Sequence, residues 1–122
     1  TVSPQAGAAA KAGGRRPRLG SRTAIPRTVY QSWISRDMAL GMQANLDRWK
    51  TMNGDDYEFV FFGDEEQRNW TEINCTKYAP AWHALDIPAA RADLFCYCLL
   101  HANGGVWSDV DVVPRRPLRD FV

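Results

Sequence analysis

The sequence predicts an α/β domain built on a parallel sheet. Three observations carry that expectation. Short runs rich in β-branched and aromatic residues alternate with longer stretches of helical periodicity. The second of those runs is apolar at nearly every position, as strands covered on both faces are. Gly, Pro and Asn-Gly punctuation falls between the elements rather than inside them.

Taken in order, Thr28-Val29-Tyr30-Gln31-Ser32-Trp33 reads as the first strand, with Pro26 tolerated only ahead of it. From Asp37 to Met52, the spacing of Met38, Met42, Leu46 and Trp49 predicts a helix capped by Asp37, and Asn53-Gly54 predicts its stop. Tyr57 to Phe62 reads as the second strand, buried on both faces. Asp64–Trp70 and Lys77–Leu85 read as short helices. Asp86 then caps a longer helix with Pro88 in its first turn, where a missing N–H is harmless. Its run Leu94-Phe95-Cys96-Tyr97-Cys98-Leu99-Leu100 is apolar all round, which predicts an interior helix. Gly104-Gly105 ends it, and Val106–Val113 reads as the third strand. Strands connected through helices in this order make parallel neighbours, and such sheets bind ligands at the carboxyl ends of their strands.

The 122 residues suffice for one domain at most. Residues 1–23 are Ala, Gly, Pro, Arg and Ser with almost no large apolar side chain, too little to offset the entropy of ordering them. They are expected to form a disordered stem or linker, or a basic targeting segment, ahead of a folded part spanning 24–122. The net charge of +1 gives no whole-chain attraction to nucleic acid. No run approaches the ~20 apolar residues of a membrane span, so any membrane attachment is expected through an anchor outside this sequence. Of the three cysteines, Cys96 and Cys98 sit in an apolar run and read as core, while Cys75 is left to pair with one of them or with neither. Asn69-Trp70-Thr71 and Asn74-Cys75-Thr76 are both N-glycosylation sequons, and two in one segment point toward a lumenal protein.

The chemistry concentrates at Asp109-Val110-Asp111. On a strand, alternate side chains share a face, so the two carboxylates point the same way with Cα atoms about 7 Å apart, and Trp107 joins them. Side-by-side carboxylates repel unless a cation lies between them. Hard oxygen donors suit Mn²⁺ or Mg²⁺, and two protein ligands leave positions open for a diphosphate. A solvated strand end is the other reading of a lone D-x-D. Gly104-Gly105 is a helix stop, a place where backbone approaches a ligand closely, or both. Asp93 lies on an otherwise apolar helix stripe and wants a donor, either a salt-bridge partner or a sugar hydroxyl. Arg91, two residues earlier, points away from it. Trp33, following Gln31 at a strand end, is placed to stack on a base or to fill core.

Together these pieces resemble glycosyltransferase family 32, which includes initiating α-1,6-mannosyltransferases of the fungal Golgi, mannosyl-inositolphosphoceramide synthases and α-1,4-galactosyltransferases. Ile25-Pro26-Arg27-Thr28-Val29-Tyr30-Gln31-Ser32-Trp33 resembles the family opening I-P-K-x-x-H-Q-x-W. Asp56 to Asp64 resembles its second strand. Ala90-Arg91-Ala92-Asp93-Leu94-Phe95-Cys96-Tyr97 resembles A-K-A-D-x-x-R-Y, and Gly104 to Asp111 resembles G-G-x-Y-x-D-x-D. The match runs from residue 25 to 121 in the family's order and spacing.

The resemblance implies a GT-A fold, the Rossmann-like architecture of nucleotide-diphospho-sugar transferases. Because the chain stops just after the D-x-D strand, the domain is expected to be truncated, its N-terminal part without the acceptor half. The resemblance further implies a GDP-mannose or UDP-hexose donor, a glycan or glycolipid acceptor, Mn²⁺ or Mg²⁺ as cofactor, retention at the anomeric carbon, and a Golgi or other secretory lumen. Trp33 would stack on the base and Asp93 would hold sugar hydroxyls. Asp109 would meet ribose or metal-bound water, and Asp111 would bind the metal. Gln31, Arg91, Gly104 and Gly105 complete the donor-binding set. Two positions depart from the pattern: Tyr30 stands where the family has His, and Cys96 where it has an Arg that a thiol cannot replace. A remnant that binds nucleotide, metal or a partner without turnover is the alternative reading.

Overall fold

Thr28–Ser32 forms β1, the central strand of the sheet in the computed structural model of the protein, which describes residues 24–35, 37–120 and 122. The expectation for residues 1–23 lies outside the described residues. β2 (Glu58–Phe62) and β3 (Val106–Trp107) flank β1 in the order β2-β1-β3, and both pair with it in parallel. Tyr30 sits level with Val60 on one side and Trp107 on the other. Parallel neighbours require crossovers, and the helices supply them: α1 (Leu40–Asn53) between β1 and β2, then α2 (Asp64–Asn74), α3 (Ala79–Ala84) and α4 (Pro88–Asn103) between β2 and β3. A 3₁₀ turn, Leu118–Asp120, follows. The α/β expectation is met.

The strand pleat sorts the core into two layers. Tyr30, Val60 and Phe62 face α2, α3 and α4, where they meet Trp70, Trp82, Phe95 and Leu99. Val29 faces the other way, toward Trp49 of α1, Tyr57 and Leu118. Each such side chain contributes roughly 1.5–3 kcal/mol on burial. Phe95 is the hub of the larger layer, packing edge-on against Phe62 at 4.9 Å and Trp70 at 5.5 Å. At the start of α2, the Gly63 N–H donates to the Glu66 carboxylate, and Asp64, Glu65 and Glu66 place negative charge where the helix dipole favours it.

Several local expectations are corrected. The third strand is two residues long rather than running to Val113, because the chain turns at Val110-Asp111, where the Val112 N–H donates to the Asp109 carbonyl. α1 begins at Leu40: Asp37 offers no cap, and its own N–H is taken by Ser35 Oγ. α1 does stop at Asn53, but through the side chain of Asn53 rather than a left-handed glycine. Its amide donates to the Trp49 carbonyl and accepts the Leu118 N–H, while Gly54 keeps a helical φ of −64°. α4 has Ile87, not Asp86, at its N-cap position, with no side-chain cap, and is one-sided rather than interior. Phe95, Leu99 and Asn103 are its buried stripe, and Tyr97 is 71% exposed. β2 is an edge strand with Glu58 exposed, so its two faces are not equally covered. Among the described residues no helix is long and apolar enough to cross a membrane.

Cys75, just past α2, forms a disulfide with Cys98 of α4, so Cys98 is a staple rather than simply core. Cys96 remains a free thiol. The bond closes a loop with a sequence separation of 23, and constraining such a loop in the unfolded chain stabilises the fold by about 3 kcal/mol. The double variant Cys75→Ala, Cys98→Ala is therefore expected to lose about that much unfolding free energy. Denaturant titration reads it, and a midpoint matching the parent's would show that the crosslink carries none of the stability.

Candidate functional site

Beyond the last ladder hydrogen bonds, two strands hand their chains to the same end of the sheet. After β1, the Trp33 N–H still donates to the Phe62 carbonyl at 3.2 Å, and the indole is left 38% exposed. After β3, the Ser108 N–H donates to the Tyr30 carbonyl at 3.0 Å, and the chain then leaves the sheet. The inward–outward alternation outlives the ladder: Ser108 and Val110 are buried, while Asp109 and Asp111 are exposed. Both residues line one cleft, although neither lies on a strand.

Other elements hold this segment in place. From α1, the Asn45 amide donates to the Val110 carbonyl at 3.2 Å, and the Trp49 indole N–H donates to the Val112 carbonyl at 2.9 Å. These bonds fix the backbone on either side of Asp111. Within the segment, the Trp107 indole N–H donates to Asp109 Oδ1 at 3.0 Å and orients that carboxylate. The Trp107 ring packs edge-on against Phe95 of the core, 6.0 Å between centroids.

The result is a cleft of about 420 Å³ at the carboxyl ends of β1 and β3, lined by Trp33, Asp93, Trp107, Asp109 and Asp111 among others. Here the connection leaving β1 and the one reaching β3 lie on opposite faces of the sheet, the place where open α/β sheets take ligands. On the α4 side, Pro88, Ala89 and Ala92 are small enough to leave room. Beneath the cleft runs a polar relay: the Trp82 indole donates to Gln67 Oε1, Gln67 Nε2 donates to Ser32 Oγ, and Ser32 Oγ donates to the Phe62 carbonyl. It ties α2 and α3 to the end of β1, next to Trp33.

The other candidate residues named from the sequence go elsewhere. Gln31 is 97% buried on the opposite, α1 side of the sheet, in a separate cavity with Met38 and Lys50. The pleat sends it away from the cleft. Arg91 donates to the Leu85 carbonyl at 2.6 Å and the His83 carbonyl at 3.3 Å, with its guanidinium over the Trp82 ring, so it pins α3 to α4. Gly104 and Gly105 both take positive φ, 69° and 105°. A Cβ on Gly105 would lie 2.9 Å from the Thr28 carbonyl oxygen and from the Tyr30 ring, and one on Gly104 would lie 3.0 Å from Pro26. The close approach that these glycines permit is to the chain's own β1, at the amino end of the sheet.

Electrostatically the cleft is one-signed. Its described lining includes Asp64, Asp93, Asp109 and Asp111 and no Lys, Arg or His. Asp93 and Asp111 make no ion pair with a described residue. Nor do any three His, Cys, Asp or Glu side chains among the described residues converge as a self-sufficient metal cage. Two exposed carboxylates sharing one cleft fit a hard divalent cation that completes its shell with ligand oxygens and water. Cys96, on the adjoining turn of α4, is a free thiol that is not among the residues lining the cleft. Burial pushes its thiol up to about 11, and the charges of Asp93 and Asp109 add to the rise.

Sequence reading missed Asn45 and Gln67, and saw Trp49 only as an apolar helix position. The first two sit on helices with no local pattern to mark them, and Trp49 reveals its second role only through the carbonyl its indole finds. No signal in the sequence could have found them.

Residues 41–122 match the family model described as the glycosyltransferase sugar-binding region containing a DXD motif. The initiation-specific alpha-1,6-mannosyltransferase of Schizosaccharomyces pombe is 24% identical over 103 residues, covering 80% of this chain and 26% of that protein. Inositol phosphoceramide mannosyltransferase 2 of the same yeast is 26% identical over 100 residues, covering 82% of this chain and 29% of that protein. The initiation-specific alpha-1,6-mannosyltransferase of Saccharomyces cerevisiae is 25% identical over 108 residues, 80% of this chain and 22% of that protein. The chain thus spans less than a third of the length of these relatives. No solved structure matches it significantly. The α/β sheet, the cleft at its carboxyl end and the family match agree, and the chain belongs to the glycosyltransferases with a DXD-containing sugar-binding region.

Proposed function

We propose that the cleft binds a nucleotide-diphosphate sugar through a divalent cation, and that the protein transfers a hexose from it to a glycan or glycolipid acceptor. The observation that carries this reading is the convergence of Trp33, Asp93, Asp109 and Asp111 on one cleft at the carboxyl ends of β1 and β3. A diphosphate cannot approach four carboxylates unaided, so the lining itself argues for a cation between them. Asp111 and Asp109 would hold Mn²⁺ or Mg²⁺, which when bound neutralises charge on the departing nucleotide diphosphate. Trp33 offers an exposed indole face for the base. Asp93 accepts hydrogen bonds from sugar hydroxyls. Mannose is the favoured sugar, since the matching relatives are named as mannosyltransferases. GDP-mannose is accordingly the first donor to test and UDP-hexoses the next, with retention as the family resemblance implies.

The Cys75–Cys98 disulfide and the two sequons support a secretory lumen, with any membrane anchor lying outside this sequence. A second reading, binding without turnover, is favoured by one observation: Cys96 supplies no positive charge where the family pattern has Arg.

Tryptophan fluorescence titrated with GDP and UDP, with and without Mn²⁺, tests the site directly. A metal-dependent quench by one nucleotide is expected, and Asp111→Asn is expected to abolish it while leaving the circular dichroism unchanged. A parent-like quench in that variant would remove Asp111 from the site. Trp49→Phe keeps an aromatic ring but deletes the bond to the Val112 carbonyl, and is expected to weaken metal-dependent nucleotide binding about fivefold, near 1 kcal/mol. Equal affinity would show that α1 does not position the D-x-D segment. Cys96→Arg places a guanidinium beside Asp93 and Asp109 and is expected to tighten donor binding about tenfold, the worth of one charge-assisted hydrogen bond, ~1.5 kcal/mol. Transfer to an acceptor appearing only in that variant would favour the binding-without-turnover reading of the parent chain.

A further inference from the structure

The two sequons are not equivalent once folded. Asn69 lies inside α2, and the rest of its sequon is committed to the core. Trp70 is 2% exposed and Thr71 1%, with the Thr71 hydroxyl donating to the Gln67 carbonyl at 2.8 Å. In a helix, side chains two apart do not face each other, so the Thr71 hydroxyl cannot reach the Asn69 amide. Asn74 is instead the last residue of α2. Cys75 leaves the helix at φ −130° and ψ 48°, and Asn74 and Thr76 are both exposed.

Beside Asn74 lies a groove of about 630 Å³ between the end of α2 and the outer side of α4, separate from the carboxylate cleft. Asn74 stands on its rim, and Tyr78, Leu94, Tyr97 and His101 help form its walls. Tyr78 is 48% exposed and Tyr97 71%, large aromatic faces that nothing in the described chain covers fully. Pyranose rings carry an apolar C–H face that packs on such aromatic surfaces, with hydroxyls left to water and to His101.

We propose that Asn74, and not Asn69, carries an N-linked glycan whose first sugars lie in this groove. The co-reactant is an oligosaccharide on a polyprenyl diphosphate, with its transferase. The Asn74 Nδ2–C1 bond forms and the C1–O bond to the diphosphate breaks. The electron pair leaves with the lipid diphosphate, and one amide proton passes to a base. The amide keeps a second N–H, which can retain the bond from Nδ2 to the Trp70 carbonyl. The inference rests on the disulfide and the groove, and stands or falls separately from nucleotide binding in the cleft.

The test expresses the chain behind a cleavable signal in a eukaryotic secretory host. Treatment with an amidase that converts a glycosylated Asn to Asp should produce one mobility shift, and peptide mapping should place the Asp at position 74. The shift should persist in Asn69→Gln and vanish in both Asn74→Gln and Thr76→Ala, the latter leaving the acceptor amide in place. A secreted, folded chain without any shift, or conversion mapped to position 69, would overturn the proposal. Seating in the groove is read from the native glycoprotein: Tyr97→Ala should make enzymatic removal of the glycan several-fold faster, and an unchanged rate would leave the glycan free in solvent, refuting the groove.

Discussion

The pairing of β1 with a parallel neighbour on each side is the constraint from which the rest follows. Parallel strands cannot be joined by a hairpin, so each pairing demands a crossover, and here the two crossovers take opposite faces of the sheet. β1 is consequently covered on both faces, and Thr28, Val29, Tyr30 and Gln31 are all buried. The cleft is a by-product of the same arrangement. Where α1 departs on one face and α4 begins on the other, the carboxyl ends of β1 and β3 are left open as a cleft among the described residues. Even the glycines serve the pairing, since β3 can lie against Thr28 and Tyr30 only if Gly105 has no side chain.

Stability and function pull the lining of that cleft in different directions. Uncompensated carboxylates near one another repel, and the fold gains nothing from them. They are tolerated because Asp93, Asp109 and Asp111 are exposed to water rather than sunk in the core. The neutral parts of the site are the ones built for rigidity. Ser108 and Val110 are anchored beneath the surface, and Asn45 and Trp49 hold the carbonyls on either side of Asp111. The backbone bearing the charges is thus fixed while the charges face solvent. A cation would meet ligands already arranged, with little ordering left to oppose its binding.

What could be read from the sequence was whatever depends on local pattern. The strand cores Thr28–Ser32 and Glu58–Phe62, the helix that includes Leu46 and Trp49, and the shared cleft of Asp109 and Asp111 follow from periods of two and 3.6. What could not be read depends on partners distant in the chain. The third strand failed as an eight-residue element because only Val106 and Trp107 pair with β1 before the chain leaves the sheet and turns, although β1 itself runs on to Ser32. Gln31 was placed in the donor set by its position in a motif, yet the pleat turns it to the other face. Arg91 was placed there too, but it is held by carbonyls at the end of α3. Polar donors such as Asn45 and Gln67 carry no periodic signature, so their roles emerge only when the carbonyl or hydroxyl they serve is seen.

At position 96, burial, charge and motif meet. It lies on α4 close enough to Asp93 and Asp109 for both charges to act on it, and it is only partly exposed. A guanidinium there would face two carboxylates and could share in holding an anionic donor. The thiol instead stays protonated far above neutral pH, first because burial disfavours the thiolate and then because the neighbouring aspartates do. It therefore contributes no positive charge. With Arg91 turned toward α3, a cation at Asp109 and Asp111 becomes the main available counter-charge for a diphosphate among the described residues that line the cleft. On the proposed reading, donor binding leans on the metal more heavily here than it would with the family pattern's guanidinium at this position, because one source of positive charge has to do what two would otherwise share.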